Sequence, residues 1–237
     1  MKNKKIATRM ALAIAATLSA SVPANATIYN ATYSGTIGGY YPQDVTGIFG
    51  PPTTSLYGVP YTVVYRIDDG LAGAEPYIGA LGPLYGSYVR GGANYSTTVI
   101  PVSAVLTING HSETITASAQ GVSQVIRYSN GDSRLDYVDG DSGYINMVLN
   151  TYPDRVIATA DFRELLEYDV PSYLTATGGG FAIYQNDAQT YRYAFGGLNI
   201  AHISVQLAPI DLPEPATGLI ILAAGILAAA TRRRSLT

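Results

Sequence analysis

The residues best suited to chemistry are acids set close together. Asp132, Asp136, Asp139 and Asp141 fall in one short stretch, and Asp139-Gly140-Asp141-Ser142-Gly143 sets carboxylates two positions apart beside glycines. Calcium takes several hard oxygen ligands on a tight loop. Asp136, Asp139 and Asp141 are therefore the calcium candidates. The EF-hand pattern fails, because no full ligand set ends in a Glu at the twelfth position. The stronger competing reading is local. Asn130-Gly131-Asp132 and Asp139-Gly140-Asp141 are turn sequences, in which Asp bonds its own backbone. Asp44, Asp68 and Asp69 would form a second oxygen site only if their loops met, and turn chemistry again explains them better. The expectation is no cofactor, with calcium as the alternative.

Catalysis finds less support. Glycoside hydrolysis needs only two carboxylates at the right separation, so a carboxylate-dependent glycoside hydrolase is the enzyme alternative. His111 directly follows a turn and His202 alternates outward on a strand, and no other histidine exists. There is no G-x-S-x-G elbow for a nucleophilic serine, and no phosphate-binding glycine loop ahead of a helix. The chain has no cysteine, which removes disulfides, thiolate catalysis and cysteine metal sites together. No catalytic residue is expected. Tyr77, Tyr85, Tyr88 and Tyr95 could form a sugar-stacking surface. The plainer reading packs them on the body or leaves them singly exposed, and tryptophan, common on glycan platforms, is absent.

Charge narrows the partners. The whole chain carries 14 basic and 17 acidic residues. Lys2, Lys4, Lys5, Arg9 and Arg232 to Arg234 all sit near the ends. Between Thr27 and Asp211 only seven arginines face sixteen acids, a net charge of about −9 with no lysine. Such a surface repels nucleic acid, whose binding is dominated by basic contacts to phosphate. It suits solubility or cation binding.

The elements that must hold these residues read as strands. Twenty tyrosines favour β structure. Alternation marks Ile28 to Ile37, Pro60 to Ile67, Gly121 to Tyr128, Tyr144 to Asn150, Arg155 to Thr159 and Leu198 to Leu207. Val99 to Ile108 and His111 to Ala119 flank Asn109-Gly110, the preferred type I′ hairpin turn. Leu71 to Asn94 reads as a long irregular connection, Asp161 to Tyr168 as a helical turn or a strand, and Gly178-Gly179-Gly180 as a hinge. Short strands between turn signals argue an all-β sandwich.

Both ends read as sorting devices. A basic start, an apolar stretch and Ala24-Asn25-Ala26 form a secretory signal cleaved before Thr27. At the other end, Pro213-Glu214-Pro215 precedes an uncharged run from Ala216 to Ala230 and then Arg232-Arg233-Arg234. Fifteen residues make about 22 Å of helix at 1.5 Å per residue, enough to cross a thin bilayer core. The arginines stop transfer and stay cytoplasmic.

This arrangement resembles the PEP-CTERM sorting signal of Gram-negative bacteria, on Pro213-Glu214-Pro215, Ala216-Thr217, the apolar helix and the arginine cluster. The resemblance implies an exosortase, a membrane-embedded cysteine-dependent enzyme, as processing partner. It implies a passing stay in the inner membrane, then release to the cell surface or an extracellular polysaccharide matrix. Asp44 to Gly50, Leu56-Tyr57-Gly58, Tyr61-Thr62 and Leu106 to His111 are similar to a β-sandwich passenger found among such proteins, which implies fold and not activity. The expected organisation is a signal peptide at 1–26 and a jelly-roll-like antiparallel β-sandwich at 27–211. A sorting signal at 212–237 follows, with its transmembrane helix at 216–231. The expected function is a non-enzymatic structural or interaction role. The alternative is a calcium- or glycan-binding module.

Overall fold

A computed structural model describes residues 27–209, apart from 72, 75, 83, 175–176 and 187–190. The signal peptide with Ala24 and Ala26, the motif Pro213-Glu214-Pro215, the apolar segment and Arg232 to Arg234 lie outside the described residues. Among the described residues no helix is long and apolar enough to cross a membrane.

The body is built from strands. They are β1 (Ile28–Asp44), β2 (Thr54–Ser55), β3 (Pro60–Asp68), β4 (Tyr77–Leu81), β5 (Leu84–Gly91), β6 (Val102–Ile108) and β7 (His111–Ile115). Then come β8 (Gln120–Tyr128), β9 (Gly131–Gly140), β10 (Gly143–Asn150), β11 (Leu166–Asp169), β12 (Gly178–Asn186) and β13 (Tyr191–Leu207). One short 3-10 turn, Ala93–Tyr95, follows β5. The pairings are antiparallel, in the order β4-β5-β8-β9-β10-β12-β13-β1-β3-β6-β7, with β11 also on β13 and β2 on β1.

The expected all-β antiparallel body is present, and it is sandwich-like. Its two layers are nonetheless one continuous hydrogen-bonded sheet, whereas a jelly roll has two. The sheet folds over so that β6 lies against β8 and β9. The long strands make this continuity possible. β1 and β13 each run 17 residues. Their pairing shifts register between Ser34 and Gly35 and again between Gly38 and Gln43. Extra residues at such bulges bend a strand and raise its twist, so one strand can serve both layers.

Side-chain alternation fills the space between the layers. Val102, Ala104, Leu106 and Ile108 of β6 point inward, as do Tyr61, Val63, Tyr65 and Ile67 of β3 and Ile145, Met147 and Leu149 of β10. The hairpin turn between β6 and β7 has φ of 53° at Asn109 and 78° at Gly110, as a type I′ turn requires. The segment after β7 is tied to β9. Ser118 N and Ala119 N both donate to Asp139 O at 3.1 Å. A Cβ on Gly140 would lie 2.1 Å from Thr116 O, so only glycine permits this approach.

Three sequence expectations change and one is extended. Leu71 to Asn94 is not irregular throughout, because it contains the β4–β5 hairpin. Its Gly, Ala and Tyr residues carry no clear alternation to betray it. The two acidic turns are present, at Ser129-Asn130 and Asp141-Ser142, and the residues between them form strand β9. Arg155 to Thr159 is not a strand. Arg127 takes the carbonyls of Ile157 and Ala158, and Glu164 takes the amides of Ala158 and Thr159 at 2.7 and 2.6 Å, so side chains hold the backbone groups a ladder would need. Gly178 to Gly180 is no hinge but the start of β12, paired with β10 throughout and with β13 from Gly179.

Candidate functional site

The acids that suggested chemistry are dispersed by the sheet. Side chains on a strand alternate faces, so Asp136 and Asp139 of β9 point opposite ways. Asp136 is fully buried between the layers. Asp139 lies on the outer face and accepts from the Tyr137 hydroxyl at 3.1 Å. Asp141 sits in the β9–β10 turn and accepts from Ser118 Oγ at 2.8 Å. The three calcium candidates thus share no site, and among the described residues no group of three or more His, Asp or Glu is placed to hold a metal ion. Asp44, Asp68 and Asp69 do not meet either. Asp68 pairs with Ile28 at one end of β1, while Asp44 is the other end. Asp44 instead holds its own loop, accepting from the amides of Thr46, Gly47 and Phe49 at 2.8–2.9 Å.

Asp136 belongs to a buried polar cluster. Arg134, two residues along β9 and on the same face, donates to it from Nε at 2.8 Å and Nη2 at 3.2 Å. The same guanidinium donates to Phe162 O at 2.7 Å and Ser123 Oγ at 3.2 Å. Across the core, the Tyr33 hydroxyl of β1 donates to Asp136. Burial, and next the charge of Asp136, push the Tyr33 phenol well above its usual range. Burial works against the Arg134 charge, but Asp136 and Tyr33 outweigh it and raise its pKa. The Tyr65 hydroxyl, also buried, has no hydrogen-bond partner.

The cluster grips the connection between β10 and β11. Ser87 of β5 donates to Ala160 O at 2.9 Å and accepts from Phe162 N at 2.6 Å. Arg127, paired with Asp132 at 3.0 Å, holds the carbonyls of Ile157 and Ala158. Ile157, Ala160 and Phe162 are thereby seated in the core. This arrangement can fasten two layers and a loop together. Its acids are already spent on arginines, so it offers no open carboxylate pair.

The histidines lie elsewhere. His111 is exposed at the first position of β7. His202 on β13 lies opposite Asp169 of β11. Its ring nitrogens sit 2.9 Å from Glu167 and 2.8 Å from Asp169, a clip between neighbouring strands.

The tyrosines are brought together more than the sequence implied. Tyr77 and Tyr88 are direct cross-strand partners, and their rings stack at 5.3 Å with 22° between planes. The Arg90 guanidinium lies 4.5 Å from the Tyr88 ring centre and 4.7 Å from that of Tyr95. The Tyr95 hydroxyl accepts from Gln120 Nε2 at 3.0 Å, and Asn94 Nδ2 donates to Gln120 Oε1 at 3.3 Å. Tyr85 is not a member. It is one strand position out of phase, on the face that carries Ser87 and Val89. Beside the 3-10 turn opens a cleft of about 420 Å³, walled by Ala93, Ser96, Thr97, Thr98, Ile100 and Ala117, with Ser118.

Sequence reasoning missed Tyr33, Arg134 and Phe162 in the core, and Arg90 and Gln120 outside. One signal was available. Asp132, Arg134, Asp136 and Val138 share a face by period-two spacing, which predicts an Arg–Asp pair on a strand. Nothing local marks Tyr33, whose partner lies 103 residues away.

Comparison with known proteins adds one finding. Residues 211–234 match the family model of the PEP-CTERM protein-sorting motif. No curated protein and no solved structure matches the chain. The matched span covers the Pro-Glu-Pro tripeptide, the apolar run and the arginine cluster. The chain carries a PEP-CTERM protein-sorting motif at 211–234, downstream of an all-β body.

Proposed function

We propose that this is a non-enzymatic exported protein, delivered to the cell surface or an extracellular polysaccharide matrix, where its β body has a structural or interaction role. The match of 211–234 to the sorting motif carries the reading. An exosortase is the processing partner it implies. The inner membrane is the intermediate station, held through the apolar run before the arginine cluster. The N-terminal basic-apolar pattern ending in Ala24-Asn25-Ala26 agrees with export. The engagement of Asp136 by Arg134 and of Asp132 by Arg127 favours a non-catalytic body, since a glycosidase needs one carboxylic acid and one free carboxylate facing substrate.

The test is processing in the native host. Replacing Pro213, Glu214 and Pro215 with alanine is expected to leave a heavier form in the inner membrane fraction. Mass spectrometry of the wild-type protein is expected to give an N-terminus at Thr27 and a C-terminus near the motif. Release of the triple variant at wild-type mass and yield would overturn the sorting reading.

A further inference from the structure

We propose that the outer-face strip formed by Tyr77, Tyr88, Arg90, Tyr95 and Gln120, with the cleft beside it, binds a neutral polysaccharide chain. The proposal rests on the matrix reading above and names the ligand that the body would meet there.

The strip is built, not incidental. On β5, Ser87 and Val89 face the core, so Tyr88 and Arg90 face out. Tyr77 is 38% exposed, so its ring is not a core residue. Immobilising side chains in water costs rotamer entropy. Here the rings of Tyr77 and Tyr88 and the guanidinium of Arg90 are held in a row, ending on Tyr95, whose hydroxyl is fixed by Gln120. Arg90 spaces the rings: it lies over a face of Tyr88 and of Tyr95, while Tyr77 stacks on Tyr88 and stays partly exposed at the end of the row. Strand spacing of about 4.8 Å puts the row from β4 through β5 to β8 at roughly 10 Å, a length suited to two linked sugar rings.

The chemistry offered is that of a pyranose surface. A sugar ring presents C–H groups on its faces and hydroxyls around its rim. With Tyr88 covered by Tyr77 and Arg90, the ring that receives those C–H groups is Tyr77, at the open end of the row, which joins apolar area to a polar handle. Planar amides such as Gln120 and Asn94 each combine donors with an acceptor, and so read adjacent hydroxyls. The cleft repeats the pairing on a smaller scale. Ser96, Thr97, Thr98 and Ser118 bring hydroxyls, and Ala93 and Ile100 bring apolar wall. Its volume of about 420 Å³ falls in the range of small-molecule sites.

Charge selects among polymers. Asp139 is the register partner of Gln120, and Asp141 holds Ser118 on the cleft wall. The body has no lysine and an excess of acids. A polyanion such as an acidic polysaccharide or a nucleic acid meets repulsion, and a neutral glycan does not.

The experiment uses the full-length chain in detergent. It is run through native gels containing a neutral α-glucan, a neutral β-glucan, a galactan or alginate. Tyrosine emission is followed in parallel with soluble oligosaccharides, readable because the chain lacks tryptophan. Retardation by at least one neutral polymer and none by alginate is expected. Tyr95→Ala and Gln120→Leu are each expected to weaken binding about tenfold, while Tyr57→Ala, an exposed tyrosine outside the strip, leaves it unchanged. If Tyr95→Ala lowers the melting temperature, Tyr95→Phe, which keeps the ring and removes the hydroxyl, decides with Gln120→Leu. No neutral polymer bound, binding to alginate alone, or binding indifferent to both strip variants would each overturn the proposal. None of these outcomes bears on processing at 213–215, so the sorting reading stands or falls separately.

Discussion

At the residue scale the body turns on one buried ion pair. Taking two charges out of water costs several kcal/mol per ion, and only good geometry and added hydrogen bonds offset it. Arg134 and Asp136 have both: a two-point contact, plus Tyr33, Ser123 and Phe162 O on the remaining positions. Removing one partner leaves a bare buried charge. Arg134→Met is expected to lose roughly 3–5 kcal/mol in urea unfolding. Arg134→Met with Asp136→Leu is expected to regain part of that, since no charge is left unpaired, but not all, since Tyr33 and Phe162 O lose partners. A double variant no more stable than the single would sink the charge account. The pair was half legible beforehand. Its period-two spacing lies in the sequence, but a calcium reading takes the same Asp136, and only its arginine partner in the fold decides between them.

At the element scale the decisive piece is a segment without regular structure. Residues 157–163 fill the core beside β5, β8 and β9, and side chains of those strands hold its carbonyls. Phe162 is fully buried and is the apolar anchor. Phe162→Ala is expected to cost about 3–5 kcal/mol, the usual range for a buried aromatic truncated to a cavity, and to open the segment to proteolysis. A loss under about 1 kcal/mol would mean that the polar grips alone seat it. Alternation predicted a strand near here, because pattern reports which residues are apolar and not where backbone hydrogen bonds go. The Asn109-Gly110 hairpin succeeded for the opposite reason. Its turn conformation is demanded by two adjacent residues, so no distant contact is needed to specify it.

At the scale of the whole molecule, three tyrosines share the core with three phenylalanines, and these buried phenols give the body an alkaline limit. Burial first, and for Tyr33 and Tyr65 also the charge of Asp136, raises the phenols of Tyr33, Tyr61 and Tyr65 above their ordinary value of 10.0. Tyr137, on the outer face, is pushed up to about 12 by desolvation and by Asp139. A raised acid keeps its proton longer when folded than when unfolded. The unfolded chain therefore releases protons first as pH passes 10, and the slope of stability with pH turns negative there. Full stability is expected below that pH, with a cooperative rise in tyrosinate absorbance above it as the core opens. A smooth titration of all twenty tyrosines with no cooperative step would contradict this.

The order of residues by itself determined the sorting motif and the all-β class. Export pattern, sorting motif, acidic body and β composition are local or summed properties, and the match at 211–234 agrees with the tail. Tertiary structure alone decided which acids are available, which tyrosines form a row and how two layers become one sheet. Each of these depends on strand register, and a register shift of one residue exchanges inner face for outer. That register is set by pairings between segments far apart in the chain, as between Tyr33 of β1 and Ile203 of β13, and no window of sequence contains them.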